Sequence, residues 1–257
     1  MTTCGSTSGH GSMAKFWIGC VAVAVLLAGP VRAADMAVPE QQRVIPVPVY
    51  SWTGCYLGAA GGWAWGRSRH ETALGIATEY YPLSGGLIGG TLGCNYQVSQ
   101  VLFGVEGDYS WVFKKGNGPG IIPALDAATV SETKENWLTT ARVRLGIVPM
   151  QQWLFYVTGG YAAASVTARV LSPNAPAFDQ SESKFRHGWT LGVGMEWAIA
   201  GTWTWKFEYL YVSLQDAGYF ALPPAGVLPR TAVPANDHIA RVGINYRFGG
   251  GIVSASY

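Results

Sequence analysis

The side chains able to do chemistry fall into three sets: alternating acids and bases, a pair of cysteines, and a few histidines. The first set is Glu106, Asp108, Glu196 and Glu208 with Arg142, Arg144, Lys206, Arg241 and Arg247. Each lies in a run where polar and apolar residues alternate, and parity puts all nine on the polar face. Charges taken out of water persist only when paired and hydrogen-bonded, and four acids against five bases come near the balance that an internal ion network needs. A narrow conducting path lined by the same charges is the rival reading. Cys55 and Cys94 open and nearly close two successive strands, so they are candidates for a disulfide, which demands a narrow range of Cα separation; the alternative is two small side chains facing lipid. His70, His187 and His238 lie in or beside connections. None stands in a strand interior next to a nucleophile, as acyl-transfer chemistry requires, and no ligand-like spacing links them for metal or heme. No catalytic, cofactor-binding or metal-ligating residue is therefore assigned.

The elements that position these residues are strands. Period-two alternation, the mark of a strand whose faces meet different environments, runs through residues 52–65, 86–98, 101–111, 137–148, 153–167, 188–199, 203–212 and 239–248. In the third run Val101, Phe103, Val105, Tyr109 and Trp111 oppose Gly104, Glu106, Asp108 and Ser110. In the seventh, Trp203, Trp205, Phe207, Tyr209 and Tyr211 oppose Thr204, Lys206 and Glu208. The connections alternate short and long. Residues 99–100, 149–152 and 200–202 are short turns, whereas 66–85, 112–136, 168–187 and 213–238 are long and hold most of the prolines, which would break a ladder. An even number of strands joined by short turns at one end and long loops at the other is the pattern of an antiparallel transmembrane up-and-down β-barrel.

Composition agrees. Only 12% of the 257 residues are charged, against about 25% in an ordinary soluble domain. No apolar stretch of about 20 residues follows the first fifty positions, which excludes helical spans and leaves a closed barrel as the structure that satisfies its own backbone in lipid. Size orients the faces. An eight-stranded interior is just wide enough for side chains to fill, and the polar face carries Gly58, Gly62, Gly89, Gly93, Gly104, Gly192, Gly194 and Gly243. The bulky aromatic face then meets lipid, and Trp63, Trp65, Trp111, Trp137, Trp153, Trp189 and Trp203 are expected in interfacial girdles. A soluble ligand-binding barrel would invert the faces.

The N-terminus reads as a secretory signal over residues 1–34, with Met13-Ala14-Lys15 a more usual start, an apolar run over 16–29, and cleavage after Ala33 or Ala34. Cys4 and Cys20 leave with it. A proline-rich linker over 35–50 precedes the barrel at 51–248, and Gly249-Gly250-Gly251 separates an extension, 249–257. A net charge of +2 gives no hint of nucleic-acid binding.

Four ordered segments carry a resemblance: Trp52-Thr53-Gly54-Cys55-Tyr56-Leu57-Gly58, Gly104-Val105-Glu106-Gly107-Asp108-Tyr109, Ala141-Arg142-Val143-Arg144-Leu145-Gly146, and Val242-Gly243-Ile244-Asn245-Tyr246-Arg247-Phe248. Together they resemble the small outer-membrane immunogenic proteins, porin-family surface antigens of alphaproteobacteria. The resemblance implies an OmpA-like eight-stranded barrel in the outer membrane of a Gram-negative cell, without catalysis or cofactor, serving membrane integrity and surface display. A small ion-passing porin is the alternative and a lipid-modifying barrel enzyme a more distant one. The expected partners are outer-membrane lipid and lipopolysaccharide, the barrel-assembly machinery and periplasmic chaperones. Tyr246 and Phe248 are the expected assembly signal. Cys55 departs from the aromatic that the family usually has there, and the extension leaves two candidate chain ends for that signal, of which Phe248 is favoured over Tyr257.

Overall fold

The structure, a computed structural model, describes residues 47–69, 71–72, 79–119, 130–174, 176, 179–215, 217–219, 231–232, 235–249 and 251–255. The signal segment, its cleavage site, most of the linker and His70 lie outside the described residues. In chain order the strands are β1 (Val47–Ser51), β2 (Gly54–Ser68), β3 (Glu71–Thr72), β4 (Tyr81–Val98), β5 (Val101–Pro119), β6 (Val130–Met150), β7 (Trp153–Leu171), β8 (Gln180–Ala200), β9 (Trp203–Leu214), β10 (Gly218–Tyr219), β11 (Thr231–Ala232), β12 (Ala235–Phe248) and β13 (Gly251–Ala255).

Eight of these close into one ring in the order β12-β2-β4-β5-β6-β7-β8-β9. Every neighbour is antiparallel, and the ring is completed by β12 against β2, from Phe248 opposite Cys55 to Asn236 opposite Arg67. Closure leaves the ring without an edge strand, and an open edge is what lipid would not tolerate. Two-residue turns join the strands at one end, and Ser99 (φ 55) and Gly201 (φ 52) take the left-handed backbone at their first turn positions.

The alternation read from sequence is the alternation of exposure. Phe103, Val105 and Trp111 are exposed while Leu102, Glu106 and Asp108 are buried on the same strand, so the bulky face points out and the small and charged face points in.

Three features differ from expectation. The strands run further toward the long loops than the hydrophobic pattern suggests: β5 has 19 residues and β6 has 21, where crossing a bilayer takes about 9–11. Above the lipid the outward face meets water and turns polar while the inward face stays buried, so the ladder continues without a lipid-facing apolar pattern to reveal it, and parts of the predicted loops are barrel wall. The end of the linker and the C-terminal extension pair with each other as an antiparallel ribbon, Val47 opposite Ala255 through Ser51 opposite Gly251. Gly249 (φ +73) makes the bend that separates this ribbon from β12. Trp52, expected to open the first barrel strand, precedes it and is fully buried. Beyond the ring, β3, β10 and β11 form a small three-stranded sheet among the long connections.

Candidate functional site in the barrel interior

The nine charged residues expected inside are all buried. Register accounts for part of their pairing: Glu106 lies opposite Arg142 and Glu208 opposite Arg241, whereas Lys206, opposite Glu196, pairs elsewhere. Further contacts join diagonal neighbours or reach across the lumen to strands that are not adjacent. Arg142 donates to Glu106, to Asp108 at 3.0 Å and to Glu208 at 3.0 Å. Arg241 on β12 donates to Glu208 at 2.6 Å and to Asp108 on β5 at 2.9 Å. Lys206 on β9 reaches Glu106 at 3.0 Å, and Arg144 holds Glu196 at 2.5 Å. The network therefore ties walls that are several strands apart.

Sequence reasoning missed the neutral members. The Tyr56 hydroxyl donates to Glu106 at 2.5 Å and accepts from Arg144. Tyr156 donates to Glu208 at 2.9 Å and Thr140 to Asp108 at 2.5 Å. The signal was present, because Tyr56 shares the parity of Gly58 and Tyr156 that of Leu154 inside. Space for the two phenols comes from glycine: a Cβ on Gly93 would collide with Tyr56, and one on Gly194 with Tyr156.

Arg247 corrects the expected balance. It makes no ion pair among the described residues and instead donates to the Trp52 carbonyl, with its guanidinium 5.0 Å from the indole ring. Four acids and the four remaining bases constitute the network. Trp52 caps the short-turn end. Its backbone N–H donates to Gln97 at 2.8 Å and its indole N–H to the Gln151 carbonyl at 3.0 Å. Tyr50, Leu102, Leu154 and Ala198 pack around it.

Toward the long loops the lumen is apolar rather than charged. Leu87, Val112, Leu138, Leu210, Val212 and Ile239 form one buried cluster. Beyond it lies a second charged tier that sequence reasoning did not find: Lys114 is ion-paired with Glu135 and at 2.5 Å with Asp237, all three buried. Three strands repeat the same layering, as Asp108, Val112, Lys114 on β5, Arg142, Leu138, Glu135 on β6, and Arg241, Ile239, Asp237 on β12. This tier stands above the outward Trp65, Trp111 and Trp137, outside the segments that cross lipid. There burial and the Asp237 charge raise Glu135 to about 7 against the pull of Lys114. Burial opposes the Lys114 ammonium, but Asp237 and Glu135 outweigh it and raise its pKa.

The seven girdle tryptophans lie on the outward face in two bands. Trp153 stacks with Trp197 at 5.7 Å near the short turns, and Trp137 packs against Phe185 at 5.8 Å near the long loops. Trp197, Trp205 and Tyr246 also belong to the lower band, beyond the seven tryptophans expected in the girdles. Cys55 and Cys94 face each other across β2 and β4 and are joined in a disulfide. His187 is exposed on the outward face, and His238 sits there against Tyr209 and Trp65, on the side of the wall opposite the charged interior.

Residues 21–248 match the family described as outer membrane protein beta-barrel domain. The 31 kDa outer-membrane immunogenic protein of Brucella melitensis is 33% identical over 238 residues, covering 88% of this chain and 97% of that protein. The 25 kDa outer-membrane immunogenic protein of Brucella canis is 30% identical over 216 residues, 81% of this chain and 87% of that one. Among solved structures, OprG of Pseudomonas aeruginosa aligns with 76% of this chain and 97% of its own at 14% identity and a TM-score of 0.48. The ring closure, the lipid-facing wall and the family match agree on an outer-membrane location, and the chain belongs to this family of outer-membrane β-barrel proteins.

Proposed function

We propose that this chain is a structural, non-catalytic barrel, sealed to ions, that contributes to outer-membrane integrity and carries its long loops as a surface display. The observation that carries the reading is the layering of the lumen: an apolar Trp52 cap, a balanced ion network, an apolar layer and a second charged tier. An ion would have to shed water to pass the apolar layer, where hydrophobic constrictions block conduction by dewetting. It would also have to break pairs that hold opposite walls together. The absence of catalysis in this reading is supported by the outward placement of His187 and His238, away from the interior acids and hydroxyls. Display is supported by the names of the Brucella relatives.

Tyr246 and Phe248 end the closing strand on its outward face, with Phe248 opposite Cys55. In this reading they are the signal that the barrel-assembly machinery takes from periplasmic chaperones, and the β1·β13 ribbon that follows plays no part in recognition. The test is single-channel recording of the refolded barrel in a planar bilayer, with heat-modifiable gel mobility as proof of folding. A folded and silent barrel is the expected result. Steady openings from folded protein would make it a small porin, with the Glu106 and Arg142 layer as its constriction.

A further inference from the structure

The outward face changes character in one step above the upper aromatic band. On β2 the outward residues run Trp63, Trp65, Arg67, and on β5 they run Trp111, Phe113, Lys115. On β6, Lys134 stands on the outward parity just beyond Trp137. Register gathers these cations. Arg67 lies opposite Pro82 and Lys115 opposite Ser84, two residues along the same strand β4, and Lys115 lies directly opposite Lys134. Like charges directly opposite on antiparallel strands repel and destabilise the pair. Lys134 has Glu132 at 3.0 Å, but Glu132 also serves Arg169 at 3.7 Å. Arg67 and Lys115 have no ion pair among the described residues. Glu132 is the one outward carboxylate on β2, β4, β5 and β6 above the band among the described residues; Glu71 lies on β3, and Glu79 is exposed just ahead of β4.

Beside Arg67 a cleft of about 600 Å³ opens between β12, β2 and the start of β4, lined by Trp65, Tyr80, Ser84, Asn236 and His238. Its aromatic wall is set in place: Trp65 stacks on His238 at 6.0 Å, and the His238 Nδ1 lies 2.6 Å from the Tyr209 hydroxyl. Aromatic faces next to amide and hydroxyl groups suit a sugar ring, which offers C–H faces and hydroxyl edges. Directly below, the lipid-facing wall continues through Ile88, Leu92 and Phe113.

We infer that this rim binds a phosphorylated glycolipid headgroup of the outer leaflet. Its phosphates lie on Arg67 and on the Lys115 and Lys134 pair, a sugar ring lies in the Trp65 and Tyr80 cleft, and its acyl chains run down the apolar wall. Anionic groups at this level relieve the repulsion between Lys115 and Lys134, and each cation near an anionic membrane surface strengthens binding by about fivefold. The acyl wall selects a lipid over free phosphate, because only a lipid gains from both surfaces. The inference shares with the sealed-barrel reading only the outward orientation of the long loops, and it is indifferent to whether the lumen conducts.

The test uses the full mature barrel refolded in zwitterionic detergent and titrated with diphosphorylated lipid A, with the same lipid A stripped of phosphate, and with inorganic phosphate. Wild type should bind diphosphorylated lipid A saturably, and Arg67→Gln with Lys115→Gln should bind it about 25-fold more weakly. Arg67→Lys with Lys115→Arg should bind like wild type, which separates charge from folding, and heat-modifiable mobility should be unchanged in both variants. Equal affinity of the Gln variant, or equal affinity for the phosphate-free lipid, would overturn the proposal. So would full competition by inorganic phosphate at the same concentration as the lipid, which would mark a free-anion site. Conductance recorded on the same preparation reads the sealed-barrel proposal separately.

Discussion

At the scale of single residues, the barrel interior shows how a low-dielectric site accommodates charge: each carboxylate has a cation and at least one hydroxyl or second cation within reach. Arg142 contacts three acids at once, Glu106, Asp108 and Glu208. Removing it leaves those buried acids short of a counter-charge, and breaking such a pair by deleting one partner costs about 3–5 kcal/mol. Arg142→Ala should therefore lower the temperature at which the barrel loses its compact gel mobility, and an unchanged midpoint would mean that the network contributes no stability. The nine charged positions were legible because parity is a property of the chain. Their partners were not, since Arg241 to Asp108 spans the lumen and Arg247 turns instead to Trp52, a residue whose placement depends on where the first strand starts. Glu135 was hidden for a different reason: a register irregularity between Glu135 and Trp137 breaks the alternation that would have placed it inside.

Among the elements, β2 and β4 carry the disulfide and β1 and β13 the short ribbon. Cys55 and Cys94 are directly opposite in the ladder, and if the signal is removed they are the two cysteines left in the mature chain. Mature protein unfolded without reductant should take up no alkylating reagent, and two equivalents after reduction, as read by mass spectrometry; two labels before reduction would show that the thiols stay free. The ribbon pairs backbone to backbone outside the ring. Ending the chain at Phe248 removes β13 while leaving every barrel pairing in place, so the truncated protein should still reach the outer membrane and show heat-modifiable mobility. Failure to assemble would place the recognition signal at Tyr257 instead. Neither element was readable as such from sequence: a five-residue strand with no lipid-facing pattern has no periodic signature, and its partner is some two hundred residues away, separated by the whole barrel.

For the whole molecule, the stacked layers of the lumen make stability depend on pH through the tier above the membrane. The folded-state pKa of Glu135 is raised to about 7 from an ordinary 4.5, so the native state holds this proton more tightly than the unfolded chain does. The stabilisation is fully present below pH 4.5 and is lost as pH rises through about 7. Over that interval the unfolding midpoint of wild type should fall, while Glu135→Gln, which cannot ionise, should show a flatter profile. Lys114, with its pKa raised, loses its contribution only in the alkaline range and does not contribute to this slope. A profile of Glu135→Gln identical to wild type would assign the dependence to other groups.

The sequence by itself determined the strand count, which face meets lipid, the two aromatic bands and the nine interior charges, because a strand's two faces alternate residue by residue and lipid selects large apolar side chains on one of them. What only the tertiary structure decided is which charges meet across the lumen, that apolar layers lie on both sides of them, that Trp52 closes the short-turn end, and that outward cations from separate strands gather into one patch. Each of these depends on ring closure and stagger, which bring together residues far apart in the chain, and no local pattern encodes how far each strand is shifted against the next.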